Sequence, residues 1–134
     1  MVLEVDGLNK SFGEKQILKD ISFQMETGEI LTIIGPSGAG KTTILRCINS
    51  LEECDSGTIK IEEDYLCKDD NNKSIYANPK EMKSIRKKIG LVFQDYNLFP
   101  HMSVIQNIIE APVNVFGGCT SSAIVLLSVV RYIP

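Results

Sequence analysis

The run Gly35-Pro36-Ser37-Gly38-Ala39-Gly40-Lys41-Thr42 constrains this chain more than any other stretch. Its order is glycine, four residues of any type, glycine, lysine and a hydroxyl residue, the pattern of a loop that cradles phosphates. Glycines let the backbone curl until successive N–H groups face one anion. A helix starting at the loop adds its own unpaired N–H groups and partial positive charge. Such a loop works between a buried strand and a helix, so the pattern demands an α/β framework. The flanks supply both. Ile30-Leu31-Thr32-Ile33-Ile34 is a nearly continuous apolar run, which predicts a central strand covered on both faces. Ile44, Leu45, Ile48 and Leu51 then recur at helical spacing. In the loop, Lys41 is positioned to reach the β- and γ-phosphates as a point charge, and the Thr42 hydroxyl to bind Mg²⁺. Phosphate oxygens and waters would complete the octahedron of that ion.

Before the loop, Leu3 and Val5 alternate with Glu4 and Asp6, and Ile21, Phe23 and Met25 alternate with Ser22 and Gln24. Each set predicts a strand with one buried face. Ile59 and Ile61 predict another, and residues 62–79, acidic and amide-rich, read as a solvated loop. A short helix should then start at Asn78 as cap, with Pro79 first and Glu81 in the capping-box position. Met82, Ile85 and Ile89 would form its apolar stripe and Gly90 its end. Ile89 to Phe93 feed a buried strand ending at Gln94, and Ser103-Val104-Ile105-Gln106 is a second capping box whose helix Pro112 should stop.

Composition sets limits on function. Apolar residues at 43% and charged residues at 23% are near the globular average. A net charge of −3 gives no electrostatic footprint for nucleic acid. The four cysteines have no paired spacing and His101 is the one histidine, so neither a zinc site nor a disulfide framework is expected. Met1 to Asp6 hold no basic segment followed by an apolar run, so no secretory leader is expected. Thirty of the 31 charged residues precede residue 111, and Arg131 alone follows. The apolar stretch 123–130 is far shorter than the ~20 residues of a membrane span.

The flanks of the loop point to a family. Leu8-Asn9-Lys10-Ser11-Phe12-Gly13, Ile17 to Phe23, Gly28-Glu29-Ile30 and Ser56-Gly57-Thr58-Ile59 resemble the start of an ABC transporter ATP-binding subunit. Ile89 to Val104, with Asn107 and Ile108, resembles that family's Q-loop, in detail that of importers of polar amino acids. The resemblance covers about residues 2–115 and implies an α/β P-loop NTPase fold. An antiparallel β-subdomain would join an incomplete RecA-like parallel sheet core. It implies ATP and Mg²⁺ as cofactors and Phe12 as the aromatic that stacks on adenine. Gly35 and the residues Ser37, Gly38, Ala39, Gly40, Lys41, Thr42 and Thr43 would line the phosphates, with Thr43 near the α-phosphate. Gln94 would contact the metal or attacking water and sense the membrane subunit.

The implied partners are integral membrane permease subunits, a second ATP-binding subunit and, indirectly, an extracytoplasmic substrate-binding protein, with the subunit at the cytoplasmic face of the membrane. Asp95 reads as part of the Q-loop rather than as an acidic magnesium partner, and His101, Cys47 and the basic cluster Lys80, Lys83, Arg86, Lys87 and Lys88 read as structural or solvated. The family also uses a Leu-Ser-Gly-Gly-Gln-type signature, a later strand ending in aspartate and glutamate, and a switch histidine. No acidic residue follows Glu110, and none of these motifs is in the sequence. The expectation is a partial ATP-binding domain at 1–115 and a divergent apolar tail at 116–134, its reading frame lost or cut near residue 115. The alternative reading is a truncated fragment that binds nucleotide without hydrolysing it.

Overall fold

The computed structural model describes residues 1–93, 95 and 97–110, and residues 124–127 as backbone. Strands β1 (Leu3–Phe12) and β2 (Lys15–Met25) form an antiparallel hairpin closed by Gly13 and Glu14, with Phe12 opposite Lys15. Strands β3 (Ser56–Ile61), β4 (Asp64–Asp69) and β5 (Ser74–Tyr76) extend the sheet from the other edge of β1. The order is β2-β1-β3-β4-β5, antiparallel throughout. Helices α1 (Lys41–Ile48), α2 (Pro79–Arg86) and α3 (Val104–Glu110) punctuate the chain. A second, parallel pair joins β6 (Ile89–Val92) to β7 (Ile124–Leu127), Ile89 opposite Ile124.

Alternation in β1 holds until its register breaks between Val5 and Leu8, after which the buried residues fall on even numbers, Leu8 and Lys10. One extra residue in a strand turns its faces over in this way. Gly57 allows β3 to approach that break. A Cβ there would lie 2.7 Å from the Gly7 carbonyl oxygen and from the Leu8 Cα, and its φ is +113°. The core gathers Leu3, Val5 and Leu8 of β1, Leu18 of β2 and Ile59 and Ile61 of β3 under Ile44, Cys47 and Ile48 of α1. Fully burying side chains of this size contributes roughly 1.5–3 kcal/mol each.

Capping follows the sequence closely. The Asn78 side chain accepts from the Lys80 and Glu81 amides at 3.1 and 2.9 Å. Ser103 and Gln106 exchange bonds of 2.7 and 3.3 Å at the start of α3.

Five expectations need correction. Residues 30–34 are not a strand. No neighbouring strand among the described residues pairs their backbone, and Ile30 and Ile34 are 91% and 87% exposed; an apolar run needs sheet partners to become a strand. Residues 62–79 are not a loop, because Leu66 and Cys67 are buried and anchor β4, with β5 paired beside it across the turn Asp70–Lys73. Ile89 belongs to β6 rather than to α2, and Leu51 is exposed beyond α1. The basic cluster is not wholly solvated: Lys88 is bonded to Glu62 and Asp64 at 2.7 and 2.9 Å, and Arg86 donates to the Ser50 carbonyl at 3.1 Å. The acidic turn between β3 and β4 draws Lys88 in. The expected stop at Pro112 lies outside the described residues.

Candidate functional site

The loop Gly35 to Gly40 enters α1 through a residue that only glycine can be. Gly40 is the helix N-cap, with φ +93°, and makes no side-chain capping bond. A Cβ there would meet Leu18 Cδ2 at 2.7 Å and Ile17 Cγ2 at 2.9 Å. The β1–β2 hairpin therefore presses directly on the loop, and the missing side chain is what lets α1 seat on β2. The first helical bond inside α1 runs from the Ile44 amide to the Gly40 carbonyl at 2.9 Å. The amides of the first turn before it have no intrahelical acceptor and open onto the loop.

Lys41 folds back over that loop. Its ammonium donates to the carbonyls of Gly35 at 2.7 Å and Pro36 at 2.8 Å, while the Ala39 amide closes a turn onto the Pro36 carbonyl at 3.2 Å. A cation, a helix N-terminus and a glycine-rich turn thus converge on one exposed surface, the arrangement that binds the phosphate chain of a nucleotide. Ser37, Gly38, Ala39 and Thr42 are exposed there, and Gly35, Lys41 and Thr43 are half-buried. The Thr42 hydroxyl is a hard oxygen donor in the first turn of α1, which suits Mg²⁺ delivered with phosphate oxygens. No group of three metal-ligating side chains occurs among the described residues.

Phe12 ends β1 with its ring 48% exposed. It stands on the same hairpin that packs against Gly40, since Lys10, two residues earlier, pairs with Leu18. The Lys10 ammonium lies 4.8 Å from the Phe12 ring centroid and 3.0 Å from the Glu52 carboxylate. Burial would lower the Lys10 pKa, but the Glu52 bond and the charges of Glu52 and Asp55 outweigh it and leave the pKa raised. Asp55 also accepts from the Ser11 amide at 2.7 Å, so the strand end that carries Phe12 is tied to the segment after α1.

Sequence reasoning did not single out Lys10, Glu52 or Asp55. The alternation of Leu3 and Val5 gives no signal for Lys10, which only the register break after Val5 turns inward, where a lysine needs an anionic partner. Gln94, expected at the metal or attacking water, lies outside the described residues. Asp95 is exposed, His101 packs edge-on to Phe99 with centroids 5.9 Å apart, and Cys47 is wholly buried in the core.

Comparison with known proteins adds a family. The ABC transporter model matches residues 18–131. The arginine transport ATP-binding protein ArtM of Bacillus subtilis strain 168 is 44% identical over 114 residues, 85% of this chain and 44% of that protein. The L-cystine import ATP-binding protein TcyC of the same strain has the same identity and coverage. Among solved structures, the dimeric post-hydrolysis state of the ATP-binding cassette MJ0796 with ADP and Pi matches with a TM-score of 0.67 and 28% identity. That match covers 89% of this chain and 50% of that one. The chain thus spans less than half the length of the curated relatives it matches.

Proposed function

From a chain that belongs to the ABC transporter family, we propose an ATP-binding subunit that couples ATP binding and hydrolysis to import of polar amino acids. The observation that carries the reading is Lys41, held at 2.7 and 2.8 Å over its own glycine-rich loop at the N-terminus of α1. ATP would lie with its phosphates against Ser37 to Thr43 and its base on the exposed face of Phe12. Bound Mg²⁺, held by Thr42 and Gln94, would neutralise phosphate charge as hydrolysis proceeds. A second ATP-binding subunit, membrane permease subunits and, indirectly, an extracytoplasmic substrate-binding protein complete the proposed machine, placed at the cytoplasmic face of the membrane. Among the described residues, no helix is long and apolar enough to cross a membrane.

The names of ArtM and TcyC support the amino-acid class and no narrower choice. ArtM and TcyC carry arginine and L-cystine in their names at equal identity to this chain.

A second reading is favoured by one observation, the lack of any acidic residue after Glu110. In this reading the chain by itself binds Mg-ATP without turning it over, because no later carboxylate is present to orient and activate water. Steady phosphate release, measured on the isolated chain and on Lys41→Ala, separates the two. Release abolished by the substitution supports hydrolysis by this chain. Saturable binding without release supports the second reading, and neither binding nor release in a folded chain overturns both.

A further inference from the structure

Two thiols meet in the core that the sheet shares with α1, and no part of the proposed nucleotide chemistry uses them. Cys54 precedes β3 and Cys67 lies in β4, paired with Ile59 on one side and Tyr76 on the other. Their sulfurs are 3.7 Å apart, and both residues are buried, at 6% and 1% exposed. Neither is in a disulfide. The bond length of a disulfide is ~2.05 Å, so closing the gap takes a small shift of the loop that carries Cys54.

The surroundings give the two sulfurs different chemistry. The Tyr76 hydroxyl accepts from the Cys54 amide at 2.8 Å, which directs its own proton toward the Cys54 sulfur 3.0 Å away. The Ser74 hydroxyl donates to the Gly57 carbonyl at 2.8 Å and so receives, rather than gives, a proton in its 3.2 Å contact with Cys54. Cys54 as thiolate is therefore met by two donors, the Cys67 thiol and the Tyr76 hydroxyl. With the Cys67 bond as the largest cause, the Cys54 pKa is lowered to about 6, while Cys67, bonded to Cys54 and buried, is pushed up. One sulfur is the nucleophile and its neighbour a protonated partner.

We propose that Cys54 and Cys67 are a dithiol that a peroxide closes to an intramolecular disulfide. The Cys54 thiolate attacks one oxygen of hydrogen peroxide, the O–O bond breaks, hydroxide leaves, and Cys54 becomes a sulfenic acid. The Cys67 sulfur then attacks the Cys54 sulfur, the S–O bond breaks, and the Cys67 proton leaves with the oxygen as water. Two thiols are oxidised and one peroxide is reduced to two waters. Access comes from the sheet edge: Ser74 and Tyr76, which cover the pair, belong to β5, a three-residue edge strand. Such an edge opens locally at low cost.

The test is hydrogen peroxide added to the intact chain, read by intact mass and by a non-reducing peptide map. A loss of about 2 Da, reversed by dithiothreitol and mapped to a Cys54–Cys67 link, is the expected result. Cys67→Ser should stop at a sulfenic acid on Cys54 that dimedone traps. Native alkylation of the unsubstituted chain with iodoacetamide, which needs no variant to fold, should label Cys54 before Cys47 and Cys67. A link to Cys47 or Cys119, no mass loss, or labelling of Cys67 ahead of Cys54 overturns the proposal.

Discussion

The Lys10 ammonium sits 4.8 Å from the centre of the Phe12 ring and 3.0 Å from Glu52, so a single cation joins the exposed aromatic to the segment behind α1. At an exposed ring such a contact contributes about 0.5–1 kcal/mol, which favours one ring orientation for the base of the proposed ATP. Phe12→Ala should weaken ATP binding by about 5- to 150-fold, the range of base–aromatic stacking. It should leave binding of inorganic triphosphate unchanged, because the triphosphate has no base. Calorimetric titration of both ligands checks this. Lys10→Met should show the same selective loss in smaller degree, and Lys10→Arg should restore it.

Gly40 and Gly38 form a matched pair of probes. Both have positive φ, but a Cβ at Gly40 strikes Ile17 and Leu18, whereas at Gly38 it meets open space. Gly40→Ala should cost about 2–4 kcal/mol, combining left-handed strain with overpacking, and Gly38→Ala about 1–2 kcal/mol from strain alone. Urea unfolding of the two variants gives the comparison.

The cap of α2 offers a local measure of how far sequence signals set stability. Asn78 accepts two amide bonds, so Asn78→Ala should lower stability by about 1 kcal/mol. Asn78→Asp should keep most of it, its carboxylate accepting the same bonds at a helix N-terminus. Chemical denaturation with unchanged m-value would confirm that the effect is local.

Alkaline pH should unfold the chain in a defined window. Burial, the largest cause, pushes the Cys47 thiol from 9.0 up to about 12. The unfolded chain releases this proton above pH 9 while the folded chain keeps it. The stability contributed by this thiol is therefore complete below pH 9 and is lost as pH rises from 9 toward 12, by up to ~1.4 kcal/mol per pH unit. Tyr76, raised first by burial, adds in the same direction from pH 10. Cys47→Ala should flatten the slope between pH 9 and 12 in a series of thermal melts, even if its midpoint is lower throughout.

Local signals were the legible part of the fold. Asn78, Ser103 with Gln106, and the glycine-rich loop each act within a few residues, and each appears where the sequence puts it. What depends on distant partners was harder to read. The run Ile30–Ile34 looked like a strand because its residues are apolar, yet strand pairing is a property of neighbours. The hairpin of β4 and β5 was hidden because its charged tips, Glu62 to Asp64 and Asp69 to Lys73, outweigh Leu66 and Cys67 in any composition count. In the candidate site, the position of the glycine-rich loop directly ahead of α1 was legible from spacing. The clamp of Lys10, Glu52 and Asp55 was not, because it links β1 to residues more than forty positions away.

Titration of Mg-ATP into the folded chain, side by side with Lys41→Ala, tests the central claim most directly. The prediction is saturable binding to the unsubstituted chain, weakened at least about tenfold by the loss of one charge-assisted phosphate contact. Both chains should melt alike, since Lys41 bonds only to exposed or half-buried loop carbonyls. A folded chain that takes up no Mg-ATP, or a Lys41→Ala chain that binds it equally well, would contradict a nucleotide site at this loop.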